Sequence, residues 1–254
     1  MGQPKYEIRD VILTAYAGSA VMGASQAFVD PPLIIPVQGS GRDLLINGRR
    51  WAQGPDPYRS ALAELAPHYR DIRIRRRAIV CFGEGCALVH SLQRFSKKPL
   101  KLDACIVADG LYTDNVSPWI PMAGLASQGR SFLALVHGQD RISKRANMQV
   151  WEQGSLIPGI TVIRKRKLPR YITHPGMPPE GLMLTVPVVK DRSGLAVLPG
   201  QTKVWTQDSL RAWASQGGLY RLEYGGRGRL EQKYLAQQVM PRVWRLLIDF
   251  WGAG

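Results

Sequence analysis

An α/β fold, built on a mostly parallel sheet with crossover helices, is predicted by three observations. Short apolar runs recur along the chain. Segments of helical length separate them, as crossovers between parallel strands require. Glycines and acids gather just past the runs, at the strand ends where open parallel sheets hold their ligands.

The elements follow in order. Residues 11–29 (VILTAYAGSAVMGASQAFV) are apolar and rich in small side chains. Glu7 and Asp10 offset Lys5 and Arg9, which is wrong for a signal peptide, and the polar residues inside make the stretch too weak for a membrane span. A strand followed by a tightly packed turn is expected there. Leu33–Val37 (LIIPV) is a strand running into the turn Gln38-Gly39-Ser40-Gly41. Residues 57–69 have helical periodicity, with Ala61, Leu62, Leu65 and Ala66 on one face, Asp56 as cap and Pro57 in the first turn. Residues 78–82 (AIVCF) form a continuous apolar run, the mark of a strand buried on both faces. Gly83-Glu84-Gly85 follows, and a helix begins at Cys86.

Ala104–Ala108 (ACIVA) is a second buried strand, ending in Asp109-Gly110. Residues 131–136 (SFLALV) are a third, ending in His137-Gly138-Gln139-Asp140, and 160–163 a shorter fourth. Residues 168–203 break the pattern with Pro169, Pro175, Pro178, Pro179, Pro187 and Pro199 and an alternating run at 182–189. A proline-rich insertion before the last strand is expected, an excursion over the sheet edge or top. Leu219–Tyr224 alternates like a strand. A closing helix is expected over about 230–251, with Val239, Val243, Leu246, Leu247 and Phe250 as its apolar stripe and a kink at Pro241. No repeat or low-complexity linker divides the chain, so 1–254 reads as one domain with 168–203 as its insertion.

The net charge is +15. It favours anionic partners, whether nucleic acid, an acidic envelope polymer or an acidic protein surface, without choosing among them. Two basic clusters stand out: Arg73, Arg75, Arg76 and Arg77, then Arg164, Lys165, Arg166, Lys167 and Arg170. Neither belongs to a recognisable nucleic-acid module. Three cysteines are too few for a disulfide scaffold, and the four histidines show no metal-ligand spacing with them. Neither a metal nor a cofactor is expected.

The run Val80-Cys81-Phe82-Gly83-Glu84-Gly85-Cys86 carries the most information. A buried strand, a tight turn flanked by small residues and then a helix is the layout of a nucleophile elbow. The frame that fits, Cys81-Phe82-Gly83-Glu84-Gly85, places a glycine where the attacking side chain belongs. Glu84 and Cys86 are the weaker candidates for that role, because frames centred on them put bulky residues at the small positions.

On these residues the chain resembles the α/β-hydrolase superfamily, and within it phage-encoded members with Phe-Ser-x-Gly-Cys at the elbow and Asp-Gly after the next strand. Here the matching residues are Phe82-Gly83-Glu84-Gly85-Cys86 and Asp109-Gly110. The resemblance implies an α/β-hydrolase-like fold, with Gln38, Gly39 and Ser40 in the place of the oxyanion-hole loop and Asp140 in that of the acid. It also implies a histidine after the last strand, but the segment from Gly225 to Gln237 contains none. Without serine and histidine the acyl-enzyme route is closed. Gly83 and Asp140 are then vestiges, His174 a histidine that could be recruited from elsewhere, and Gln38, Gly39, Ser40, Asp109 and His137 candidates for binding.

The resulting expectation is a non-catalytic phage protein, a virion or tail-associated structural or binding component. Its expected partners are other virion proteins or an anionic host-envelope polymer, with location in the virion or, before assembly, the host cytoplasm. The alternatives are an active hydrolase of cell-wall or lipid esters with an unconventional nucleophile, and a nucleic-acid-binding protein using the basic clusters.

Overall fold

The structure, a computed structural model, describes residues 8–17, 27–98, 100–111, 113, 115–137, 141–154, 161–162, 182–185, 189–190, 196–197, 218–224 and 239–252. Its strands are β1 (Ile8–Ala15), β2 (Leu33–Val37), β3 (Arg73–Phe82), β4 (Ala104–Ala108), β5 (Phe132–His137), β6 (Thr161–Val162), β7 (Leu182–Thr185), β8 (Val189–Lys190), β9 (Ala196–Val197) and β10 (Leu219–Tyr224). The main sheet has the order β2-β1-β3-β4-β5-β10-β7. All pairs from β2 to β10 are parallel, and β7 alone runs antiparallel, against β10. The alternating run at 182–189 thus supplies an edge strand of the main sheet. β6, β8 and β9 pair antiparallel in a small second sheet, and the rest of 168–203 lies outside the described residues.

The described helices are α1 (Gly41–Trp51), α2 (Pro57–Leu65), α3 (Cys86–Phe95), α4 (Ile120–Ser127), α5 (Arg141–Gly154) and α6 (Met240–Gly252). Strand residues alternate between the two faces of the sheet. Leu13, Ile79, Cys81, Cys105, Val107, Leu133 and Leu135 share one core cluster with residues from α1 to α5. Ile12, Val80, Ile106, Phe132 and Val136 are also buried, on the opposite alternation. There Phe132 packs against Phe250 of α6, and Phe28 packs against Trp244 and Trp251. β4 and β5 are buried along their whole length, as their unbroken apolar runs imply.

Three local outcomes differ from the sequence expectation. The 57–69 helix ends at Leu65, since Ala66 precedes a proline and leaves the helical region (φ −144°, ψ 68°). Pro67–Tyr69 then forms a separate 3₁₀ turn. At its start this helix keeps the expected cap, Asp56 accepting from the Tyr58 and Arg59 amides. The turn after β2 opens a further helix, α1, which apolar periodicity did not reveal. Its start is a capping box in which the Ser40 hydroxyl accepts from the Asp43 amide and the Asp43 carboxylate accepts from the Ser40 amide. Finally, Pro241 lies in the first turn of α6, where a missing N–H costs nothing, and residues 225–238 lie outside the described set.

β3 also begins five residues before the apolar run, taking in the first arginine cluster. The β1–β3 register jumps between Arg9 and Val11, which pair with Ile74 and Arg77. This bulge reverses the alternation locally, so Arg75 joins Arg76 on the α6 side of the sheet. Arg75 holds Asp10 through two hydrogen bonds of 2.8 and 2.7 Å and Asp30 through a third of 2.8 Å. Arg76 donates to the Trp251 carbonyl and lies over the Trp251 ring. Arg77 points to the other face, pairs with Asp56 and lies over Tyr58. Of the four, only Arg73 makes no side-chain hydrogen bond or ion pair among the described residues.

Two predictions follow from this packing. Asp10 is 3% exposed and Arg75 42%. Arg75→Met leaves a buried carboxylate without its partner and is expected to cost ~2–3 kcal/mol in urea denaturation, less than a fully buried pair because water reaches the guanidinium. Adding Asp10→Asn is expected to restore part of that loss. Tyr58, fully buried, donates toward the carbonyls of Val11 (2.7 Å) and Ala78 (3.0 Å), so Tyr58→Phe is expected to cost ~1–2 kcal/mol. Burial pushes its phenol above the ordinary value of 10.0. The folded state therefore holds the proton that the unfolded chain gives up. The contribution is whole below pH 10 and declines as pH rises beyond it, so the Phe variant is expected to show a shallower alkaline loss of stability.

Candidate functional site

The carboxyl edge of the sheet is where the backbone departs most from ordinary geometry. Three strands that lie side by side, β1, β3 and β4, each run into a residue with positive φ: Tyr16 (58°), Gly83 (51°) and Asp109 (45°). The left-handed region costs an L-residue roughly 1–2 kcal/mol, glycine nothing, and aspartate less than most. Tyr16 is bulky and 49% exposed, so little packing compensates it. Outliers of this kind concentrate at functional sites, which marks this edge for attention. No sequence signal pointed to Tyr16, because apolar patterning carries no information about φ.

At the centre is the turn from β3 into α3. Phe82 is extended, Gly83 turns left-handed, Gly83–Gly85 form a 3₁₀ turn, and α3 starts at Cys86. A β-carbon added at Gly83 meets nothing within 4 Å, so a side chain there would stand in open space. A β-carbon at Gly85 would instead run into the carbonyl oxygen of Ala15, at the end of β1. The glycine at 85 thus permits the close approach that seats the turn on its neighbouring strand. The glycine at 83 satisfies the backbone angle and contributes no reactive group.

The other candidates fall into distinct places. Glu84 is exposed, and its carboxylate lies over Gly41, 3.0 Å from where a β-carbon would stand. Cys86 is buried, with its sulfur against Gly110, and faces the core rather than the space above Gly83. Cys81 and Cys105 are buried in the same cluster. Burial, then contact with the Cys86 thiol, drives the Cys81 thiol up, while contact with Cys81 and burial drive Cys105 up. Both stay protonated, with the chemistry of small apolar side chains.

Gln38, Gly39 and Ser40 are exposed, but they leave β2, the edge strand, with β1 between it and β3. The strand next to the turn is β1, whose following loop begins at Tyr16 and Ala17. The sequence reading had placed the loop facing the turn after Leu33–Val37, because local patterns do not record which of the first two strands lies beside β3. Ser40 spends its hydroxyl on Asp43, donating at 2.7 Å.

Asp109 continues the ladder, its amide donating to the Val136 carbonyl at 2.9 Å. Only 9% of it is exposed. His137 lies one step past the Ala108–Val136 pair, is wholly buried, and pairs in register with Glu223. Ser143 and Asn147, four residues apart on α5, are equally buried, and the Asn147 amide donates to the Val136 carbonyl at 3.5 Å. His137 is therefore an interior residue. Asp140, His174 and the cluster Arg164, Lys165, Arg166, Lys167 and Arg170 lie outside the described residues. Among the described residues no group of His, Cys, Asp and Glu is arranged to hold a metal ion.

No protein-family model matches the chain, and a search of curated proteins finds no relative. No described helix is long and apolar enough to cross a membrane.

The two glycines separate by prediction. Gly83→Ala introduces only backbone strain and is expected to cost ~1–2 kcal/mol. Gly85→Ala forces β1 and the turn apart and is expected to cost ~3 kcal/mol or more. Urea midpoints of the two variants give the order.

Proposed function

We propose that this chain is a non-catalytic protein of α/β-hydrolase-like fold that uses the carboxyl edge of its sheet for binding or assembly. The observation that carries the reading is Gly83, a left-handed turn with open space above it and no side chain to attack with. The surroundings support it. The turn leads from a central parallel strand into a helix, as in a nucleophile elbow, and it is pressed against the adjoining strand by Gly85. The chain has no histidine after β10, so no base is available from the place where such folds supply one. A fold and its chemistry are separable, and a cleft can outlast the reaction once performed in it.

The phage context, with a virion or tail role and docking to other virion proteins or an anionic envelope polymer, rests on the resemblance of the Phe82–Cys86 and Asp109-Gly110 motifs alone. The positive net charge is compatible with such partners. Neither alternative gains from the geometry. An unconventional hydrolase would need Cys86 or Glu84 beside a base in the open space, and Cys86 faces the core. Nucleic-acid binding would use the first arginine cluster, three of whose members are engaged by Asp10, the Trp251 carbonyl and Asp56.

The test is turnover. The purified chain is expected to show no hydrolysis of ester, amide or glycan substrates above buffer, and Gly83→Ser is expected to gain none, because a hydroxyl without a base stays a poor nucleophile. Wild-type turnover that disappears in Cys86→Ala, Glu84→Gln or His174→Ala would overturn the proposal.

A further inference from the structure

We propose that the outer face of α1, with the end of α3, is a docking surface for an anionic lipid membrane. This surface is separate from the Gly83 turn and does not depend on the reading above. α1 buries Leu44, Gly48 and Trp51 on its inner side. Arg42, Leu45, Ile46 and Arg49 fall at i, i+3, i+4 and i+7, which makes them one stripe on the opposite side. Such a stripe ordinarily meets a core. Here all four are exposed, Leu45 by 43% and Ile46 by 56%.

α3 runs beside α1 and widens the surface. The Ser91 hydroxyl donates to the Leu45 carbonyl at 2.7 Å, and the Arg49 guanidinium lies 5.0 Å from the centre of the Phe95 ring. Arg94 lies over the same ring at 5.4 Å, and exposed Lys97 and Lys98 follow the helix. Arg42, Arg49, Arg94, Lys97 and Lys98 form no ion pair among the described residues. This sets them apart from Arg75 and Arg77, which carboxylates occupy. The acids near this side are Asp43, held by Ser40, Glu64, held by Arg50 and the Trp51 indole, and Glu84, at the far amino end of the helix pair.

The chemistry of the patch chooses its occupant. A pair of aliphatic side chains at the centre and cations around it match the headgroup boundary of an anionic bilayer, where apolar groups enter and Lys and Arg meet phosphates. A single-stranded nucleic acid would call for an open aromatic platform. The one ring present, Phe95, already carries two guanidinium groups. A protein partner would be met by a patch richer in aromatic residues at its centre.

Sedimentation of the full chain with lipid vesicles tests this. Binding is expected to vesicles of phosphatidylcholine mixed with phosphatidylglycerol, and about tenfold less to phosphatidylcholine alone. Leu45→Glu/Ile46→Glu is expected to lower binding to the mixed vesicles about tenfold with an unchanged melting temperature, since both positions face solvent. Arg42→Gln/Arg49→Gln, which leaves the apolar pair intact, is expected to weaken it severalfold. The proposal fails if the chain does not sediment with mixed vesicles, binds both vesicle types equally, or binds as well after Leu45→Glu/Ile46→Glu. It fails too if a DNA oligonucleotide binds more tightly than the vesicles and loses that binding in the arginine variant.

Discussion

The contact of Gly85 with the carbonyl end of β1 is the constraint on which the rest of this architecture turns. β3 must leave the sheet and enter α3 within three residues, and it can do so only if the backbone passes directly over Ala15. That path fixes the angle of α3 and, through its side-by-side packing, of α1. It also forces Gly83 into the left-handed region. Packing thus imposes the backbone angle at 83, whatever that residue does chemically. A glycine there meets this angle without the strain an L-residue would bear.

Charge is distributed by a similar logic. A strongly basic sequence invites the idea of a continuous cationic face, yet the densest described cluster works inward. The bulge in β1–β3 sends Arg75 and Arg76 to one side and Arg77 to the other, so Arg77 is separated from both by the sheet and each meets its own acceptor. Guanidinium groups suit this use because they can lie on a ring and bond a carboxylate or carbonyl at the same time. Among the cations left in solvent, Arg49 in the last turn of α1 and Arg94 in that of α3 also complement the helix dipoles.

How much of this was legible in the sequence follows from what each signal measures. β4 and β5 were readable because burial on both faces leaves an unbroken apolar run, and the absence of a side chain at the turn was readable because Gly83 sits in a frame of small residues. α1 was not, because Gly41 and Gly48 dilute its pattern and Leu45 and Ile46 lie on the wrong side for a core-facing stripe; only Ser40 and Asp43, as a capping box, announced it. The extension of β3 into Arg73–Arg77 escaped because its stabilisation comes from Asp10, Asp30, Asp56 and Trp251, all distant in sequence. Leu33–Val37 was recognised as a strand but given the neighbour position that belongs to β1, since strand order depends on crossovers that local patterns do not record. Tyr16 and the interior placement of His137 needed coordinates, as neither a dihedral angle nor the cover supplied by α5 is written in periodicity.

The three left-handed residues of the sheet edge bear on function when taken together. At Gly83 the strain is absent by composition. At Asp109 it is moderated, because aspartate tolerates this region and the ladder bond to Val136 persists through it. At Tyr16 it stands, in a residue half open to solvent and hence weakly compensated. The turn between β1 and β4 thus meets its left-handed angle without strain, while the strands either side of it carry theirs.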